Sequence, residues 1–289
     1  MGEAVCVVDA QAVVGECPVW VPEENALYWV DIYKPALHRF DPASRATKSW
    51  PLPEPIGSFA MRKAGGIVAG LRSGFAFIDL DTGAIEIAAS PEKDKPGNHL
   101  NDGRCDKRGR FWAGSAALDR SRTAALYRFD PDRSCHFMVG DIAVSNGLAW
   151  SPDSKTMYHT NSPQRVVWAW DFDLDMGAIS NRRVFAEPAP GEGYPDGAAV
   201  DAEGCYWSAR FDAWRIVRHA PDGREIQVVK LPVQNPTMCA FGGDKLDTLY
   251  VTSATWRLSE EALRQQPHAG GVFALDIGIR GLPEPRFSG

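Results

Sequence analysis

A unit that repeats six times limits what this chain can fold into more than any other feature. Each copy is an apolar run, a turn of Pro, Asp and Gly type, a second run with aromatics, a variable gap and a third run. It is legible in VWVPEENALYWVDIYKPALHRFDPAS, FAMRKAGGIVAGLRSGFAFIDLDTG and RCDKRGRFWAGSAALDRSRTAALYRFDPD. It returns in LAWSPDSKTMYHTNSPQRVVWAWDFD, AAVDAEGCYWSARFDAWRIVRHAPDG and CAFGGDKLDTLYVTSATW followed by GGVFALDI. Taking Leu27, Ile67, Phe111, Met157, Cys205 and Leu249 as equivalent points, the period is roughly 40 to 48 residues, the range of a four-stranded propeller blade. Short runs of Val, Ile, Tyr, Trp and Phe between turn clusters fit antiparallel meanders, and only SEEALRQQ, Ser259 to Gln266, reads as helix.

The predicted fold is therefore all-β: a six-bladed β-propeller of four-stranded antiparallel blades around a central channel, with residues 1–289 forming a single domain. Closing the ring removes sheet edges that an open stack leaves exposed. AVCVVDA near the amino terminus is expected to complete the last blade. Tyr and Trp of the second strands, and His159 with them, are expected in the core.

A formal net charge of −6 and the absence of any Lys/Arg-rich run argue against nucleic acid and anionic membrane as partners, leaving small molecules. The acidic N-terminal stretch MGEAVCVVDAQAVVGE is unlike a signal peptide and no run of 18 apolar residues follows, so a cytoplasmic chain is expected. Nothing in the pattern calls for an obligate interface, and a monomer is expected. Six cysteines without CxxC pairs or zinc-ligand spacing predict reduced thiols.

In a propeller the first strand of each blade lies nearest the axis, so equal phase in different blades means proximity in space. Counting five residues back from Val21, Arg62, Asp106, Ser151, Asp201 and Gly242 gives Glu16, Gly57, Asn101, Asn146, Asp196 and Thr237. Taken alone, Asn146-Gly147 and Asp196-Gly197 are ordinary turn dipeptides. Glu16 in GECPVW answers to no turn chemistry, and a carboxylate at the end of an apolar channel needs a partner cation. Glu16, Asn146 and Asp196 together make an all-oxygen set suited to one hard divalent ion such as Ca²⁺, Mg²⁺ or Mn²⁺.

The motifs GECPVW, HLNDGRCDKRGRFWAGS, VSNGLAWSPDSKTMYHT, YPDGAAVDAEGCYWSA and AGGVFALDI, in this order and spacing, resemble the senescence marker protein, gluconolactonase and luciferin-regenerating enzyme (regucalcin-like) family across essentially the whole chain. The resemblance implies hydrolysis of a sugar aldonolactone to the aldonic acid in sugar oxidation. It implies one divalent ion, Ca²⁺ first and Mg²⁺, Mn²⁺, Zn²⁺ or Fe²⁺ as alternatives, on Glu16, Asn146 and Asp196. It also implies Asp196 as catalytic base and Asn101 as a substrate-binding residue beside Asp102. His99 stands where the family's animal lactonases carry Arg, and the segment AALDRSRTAALY is shorter than theirs, so the groups that read the sugar differ. His99 is a candidate for orienting ring hydroxyls or a plain wall residue.

Two other readings stand beside the lactonase: a related propeller hydrolase of phosphotriesters or aryl esters, and a calcium-binding propeller without catalysis. No GxSxG elbow, Ser/His/Asp arrangement or Gly-rich phosphate loop points to serine-esterase or nucleotide chemistry.

Overall fold

A computed structural model describes residues 2–289. Its strands form six four-stranded antiparallel sheets, five of them beginning at the axis and running outward in chain order. Blade 1 comprises Gly15–Val21, Ala26–Asp31, Ala36–Phe40 and Thr47–Pro51; blade 2, Ile56–Met61, Ile67–Leu71, Phe75–Ile78 and Ile85–Ala89; blade 3, Asn98–Cys105, Phe111–Ala117, Ala124–Phe129 and Cys135–Ile142. Blade 4 comprises Ser145–Trp150, Thr156–Asn161, Val166–Asp173 and Ala178–Ala186; blade 5, Tyr194–Val200, Tyr206–Phe211, Arg215–His219 and Glu225–Lys230. Blade 6 takes Pro236–Gly242, Thr248–Ser253 and Val272–Asp276 from the end of the chain and Val5–Val8 from its beginning. Val5 pairs with Ala274 and Cys6 with Phe273, so the predicted N-terminal closure is present.

The burial pattern explains why the repeat shows up as apolar runs rather than as alternation. Inner strands are packed on both faces and are buried almost throughout, whereas the outer strands Thr47–Pro51 and Ala178–Ala186 are largely exposed. Second strands carry the large aromatics: Trp29, Trp112, Tyr206 and Trp207 are fully buried. Two of these indoles share one device. Asp106 accepts from Trp112 Nε1 at 2.8 Å and Arg110 Nε at 2.7 Å, and Asp201 accepts from Trp207 Nε1 at 2.8 Å and Arg218 Nε at 2.9 Å. Each aspartate thus satisfies the one polar atom that an indole takes into the core.

His159 is buried as expected, with Nε2 2.8 Å from Ser145 Oγ. The helix forms over Glu260–Gln265, and the Ser259 side chain accepts from the Ala262 N–H at its start. All six cysteines are free thiols.

The C-terminal segment crosses the face where the inner strands end. Gly281 bridges to Asp201, and Phe287 donates its N–H to Met61 O while accepting from Lys63 N, both at 2.9 Å. Pro283, Glu284, Pro285 and Arg286 lie under the channel beside Cys17, Arg104 and Met238, and Arg104 Nη1 meets Glu284 Oε1 at 3.3 Å. Phe287 is fully buried, stacked on Phe129 with centroids 5.6 Å apart and 5.8 Å from Phe77. The tail therefore stops one end of the channel. Phe287→Ala is expected to lower stability in equilibrium urea unfolding by about 3–5 kcal/mol. Phe137→Ala, on an exposed outer strand, is expected to cost under about 1 kcal/mol in the same measurement.

Candidate functional site

At the other end of the channel the six inner strands share a local irregularity. Pairing with the second strand skips between Glu16 and Val19, Ile56 and Ser58, Leu100 and Gly103, Asn146 and Ala149, Pro195 and Ala198, and Pro236 and Met238. These are bulges, which bend a strand and re-aim a side chain, and they fall on the six positions that share a phase in the sequence. The register break is what frees Glu16, Asn101, Asn146 and Asp196 from the sheet's alternation.

The two remaining positions serve the approach of the strands. A Cβ on Gly57 would lie 2.3 Å from Leu100 O and 2.6 Å from the Asn101 Cα, so blade 3 comes close only because blade 2 has no side chain there. Thr237 turns its hydroxyl to Gly15 O, tying blade 6 to the residue before Glu16. Gly147 has φ of +64°, and a Cβ there would meet the Tyr206 hydroxyl at 2.4 Å, so glycine is required on both counts.

Glu16, His99, Asn101, Asn146 and Asp196 all line a single open cleft of about 570 Å³. Asn101 Nδ2 donates to Ser145 O at 3.0 Å and to Asn146 Oδ1 at 2.9 Å. Both amide hydrogens of Asn101 are thereby used, and its oxygen is the group left for a ligand. Asn146 Nδ2 donates to Ser162 Oγ at 2.8 Å, which fixes the orientation of the amide and leaves Oδ1 one further lone pair. Glu16 accepts from the Cys17 N–H at 2.9 Å.

The electrostatics of this floor are unfavourable without a cation. Burial pushes the Glu16 carboxyl well above the usual range, and the negative charges of Asp196 and Asp102 add to it. Asp196 is likewise raised well above its ordinary value by burial and by Asp102, against the pull of the Gly197 N–H and the Asn146 side chain. Among the described residues, no Lys, Arg or His forms an ion pair with either carboxylate. The donors are oxygens only, two carboxylates and an amide, so Glu16, Asn146 and Asp196 fit a hard divalent cation. No group of three or more His, Cys, Asp or Glu placed to share an ion is found among the described residues, as a set with only two acids requires.

Asp102 does not line the cleft. It is buried behind the floor, with Oδ2 accepting from the Leu148 N–H at 3.0 Å and Oδ1 without a hydrogen-bond partner among the described residues. His99 does lie in the cleft wall, and burial, with some help from Arg72, lowers its pKa to about 4, so the imidazole is neutral at pH 7. The pattern in the sequence misses Tyr33, Arg120, Tyr194, Trp256 and Arg257, which complete the cleft. Four of these five lie on or beside loops between second and third strands, the variable gaps of the repeat, where no common phase marks them.

Because the folded-state pKa values of Glu16 and Asp196 are raised, the native state holds their protons more tightly than the unfolded chain does. Without a cation, their contribution is fully present below about pH 4, and stability falls as pH rises through the folded-state values. In the presence of a chelator at neutral pH, Glu16→Gln and Asp196→Asn are each expected to raise unfolding stability by about 1–3 kcal/mol. A loss of stability in urea melts of both variants would show instead that the chain itself compensates these charges.

The chain is similar to known proteins over nearly its whole length. The sequence model of the SMP-30/Gluconolactonase/LRE-like region matches residues 14–255. The chain is 43% identical over 286 residues to a 6-deoxy-6-sulfogluconolactonase of Pseudomonas putida, covering 98% of both chains. It is 38% identical to the regucalcin of Xenopus laevis, again over 98% of both. A solved structure of regucalcin from Agrobacterium tumefaciens, described as a calcium-binding protein, superposes with a TM-score of 0.95 at 27% identity, covering 99% of this chain and 97% of that one.

Proposed function

The chain belongs to the SMP-30/Gluconolactonase/LRE-like family, and we propose that it hydrolyses a sugar aldonolactone to the aldonic acid with one divalent ion held by Glu16, Asn146 and Asp196. The observation that carries this reading is the pair of buried carboxylates, Glu16 and Asp196, which line an open cleft and have no basic ion-pair partner among the described residues. Two uncompensated charges there are costly to folding unless something that binds the cleft uses them. A calcium-binding relative supports Ca²⁺ as the first candidate.

When bound, such an ion supplies an electrophile for the lactone carbonyl oxygen. Asp196, whose carboxylate lines the cleft, is the base: it accepts a proton as water oxygen attacks the carbonyl carbon. The ring C–O bond then breaks, and the departing alkoxide takes a proton from Asp196, which restores the carboxylate. The free oxygen of Asn101 accepts a hydrogen bond from a ring hydroxyl, and the neutral imidazole of His99 offers one donor and one acceptor to another. Asp102, behind the floor, holds the Leu148 N–H and with it the strand that carries Asn146.

Arg120 and Arg257 both line the cleft, so it suits a lactone that carries a negative group as well as a neutral one. The test is acid release from a panel of neutral and 6-sulfonated or 6-phosphorylated lactones, with chelated enzyme to which Ca²⁺, Mg²⁺, Mn²⁺, Zn²⁺ or Fe²⁺ is returned singly. Turnover is expected to vanish on chelation and return with at least one ion. Asp196→Asn is expected to lower kcat by about 10²–10⁴-fold. Wild-type rates in that variant would remove the base assignment, and turnover that survives chelation would remove the ion.

A further inference from the structure

We propose that Tyr33 and Trp256 form the wall against which the carbon–hydrogen face of the lactone ring packs, so that they determine specificity for a closed ring over its open-chain product. The inference rests on the lactonase reading and adds to it how substrate is told from product.

Tyr33 lies between the second and third strands of blade 1, and Trp256 in the corresponding connection of blade 6. Their rings stack with centroids 4.9 Å apart and an interplanar angle of 22°. Tyr33 meets the next wall residue, His99, edge-on at 6.4 Å. This makes a continuous aromatic surface from the rim at Trp256 down to His99, two residues from Asn101. Trp29, Trp112 and Trp207 are fully buried in the blades, but Tyr33 and Trp256 remain 37% and 40% exposed while lining the cleft. Two large rings held together in an open cleft leave apolar surface for a ligand to cover.

The wall is fixed to the floor. Asp31 Oδ1 accepts from the Tyr33 and Lys34 N–H groups at 3.1 Å and from Val14 N at 3.2 Å, and its Oδ2 accepts from Val13 N at 2.9 Å. On the other side Trp256 N donates to Val13 O at 3.1 Å, and Trp256 O accepts from Asn235 Nδ2 at 2.9 Å. Both aromatics are therefore anchored to residues 13 and 14, which lead directly into Glu16. These main-chain bonds place both residues beside the floor and the rings stack on each other, which lowers the ordering cost of binding.

The chemistry of the cleft is divided in the same way. Glu16, Asn101, Asn146 and Asp196 place polar atoms at the floor, while the Tyr33 and Trp256 rings offer a flat apolar surface beside it. A lactone ring has the matching division, with a carbonyl and hydroxyls at its edge and C–H groups on its face. Hydrolysis opens the ring, and a flexible chain no longer presents that face. The wall thus favours substrate over product and assists product release.

The experiment uses ion-loaded enzyme and reads kinetics together with calorimetric binding of two unreactive probes, a 1,5-anhydrohexitol and the open-chain hexitol of matching configuration. Trp256→Ala and Tyr33→Ala are expected to raise KM about tenfold with kcat within about twofold, and Trp256→Phe to restore most of the loss. The wild type is expected to bind the ring probe more tightly than the open chain, and Trp256→Ala to erase that preference. An unchanged KM, a fall in kcat alone, or equal weakening of both probes in the alanine variants would overturn the proposal. If the wild type turns over no lactone, the lactonase reading fails, and the probes still decide the wall: a ring preference lost in Trp256→Ala supports it, and equal binding of both probes overturns it.

Discussion

Six strands can approach one axis only if the residues at their closest point are small or are held by something in common. In this propeller the positions of equal phase meet that constraint in two ways. Gly57 yields space to the backbone of blade 3, and Thr237 is tied back to Gly15. The other four present oxygen: Glu16, Asn101, Asn146 and Asp196. A ring packed this tightly could have closed with apolar residues at lower electrostatic cost, since buried ionisable groups without partners oppose folding. The choice of two acids and two amides at one level therefore marks the place where packing has given way to chemistry.

The bulges link the sequence to that choice. A regular strand alternates its side chains between faces, so neighbouring inner strands pack on one another through every second residue. One skipped residue per blade breaks the alternation at one height, and in four of the blades it turns a polar side chain toward the cleft. The repeated fault is consequently as much a part of the repeat as the strands are, and it makes the phase count across blades meaningful.

This is also why the floor of the site could be read from the sequence while, His99 apart, its walls could not. The six-fold period, the closure by Val5–Val8, the buried His159 and the convergence of the phase positions all follow from repetition, which one sequence displays six times over. Asp102 shows the limit: as the neighbour of Asn101 it reads as part of the same surface, but it turns away from the cleft and serves the Leu148 N–H. Tyr33 and Trp256 lie in gaps of different length and composition, where position in space depends on Asp31 and on residues 12–14 rather than on local pattern. The segment GLPEPRFSG has no period at all, and its role as a stopper depends on Phe287 finding Phe77 and Phe129, more than 150 residues away along the chain.

The two faces of the ring divide the work of stability and function. On the closed face Asp106 and Asp201 are fully engaged by indole and guanidinium groups, and the tail covers the channel. There, buried charge is paired and hydrogen-bonded. On the open face Glu16 and Asp196 are buried without such partners, and Asp102 behind them adds a third negative charge. A closed ring with well-compensated turns can carry that unfavourable cluster, because the blades that hold it are fixed by contacts made elsewhere. The cleft loops carry less of that burden: they connect second strands to third, and the bonds that tie them to residues 12–14 are made chiefly by their main chain and by Asp31. Substitution of their side chains leaves the oxygen floor as it is, which is the physical reason that the proposed specificity is assigned to Tyr33, Arg120, Trp256 and Arg257 on these loops, with His99 on the neighbouring inner strand, and the proposed hydrolysis to Asp196.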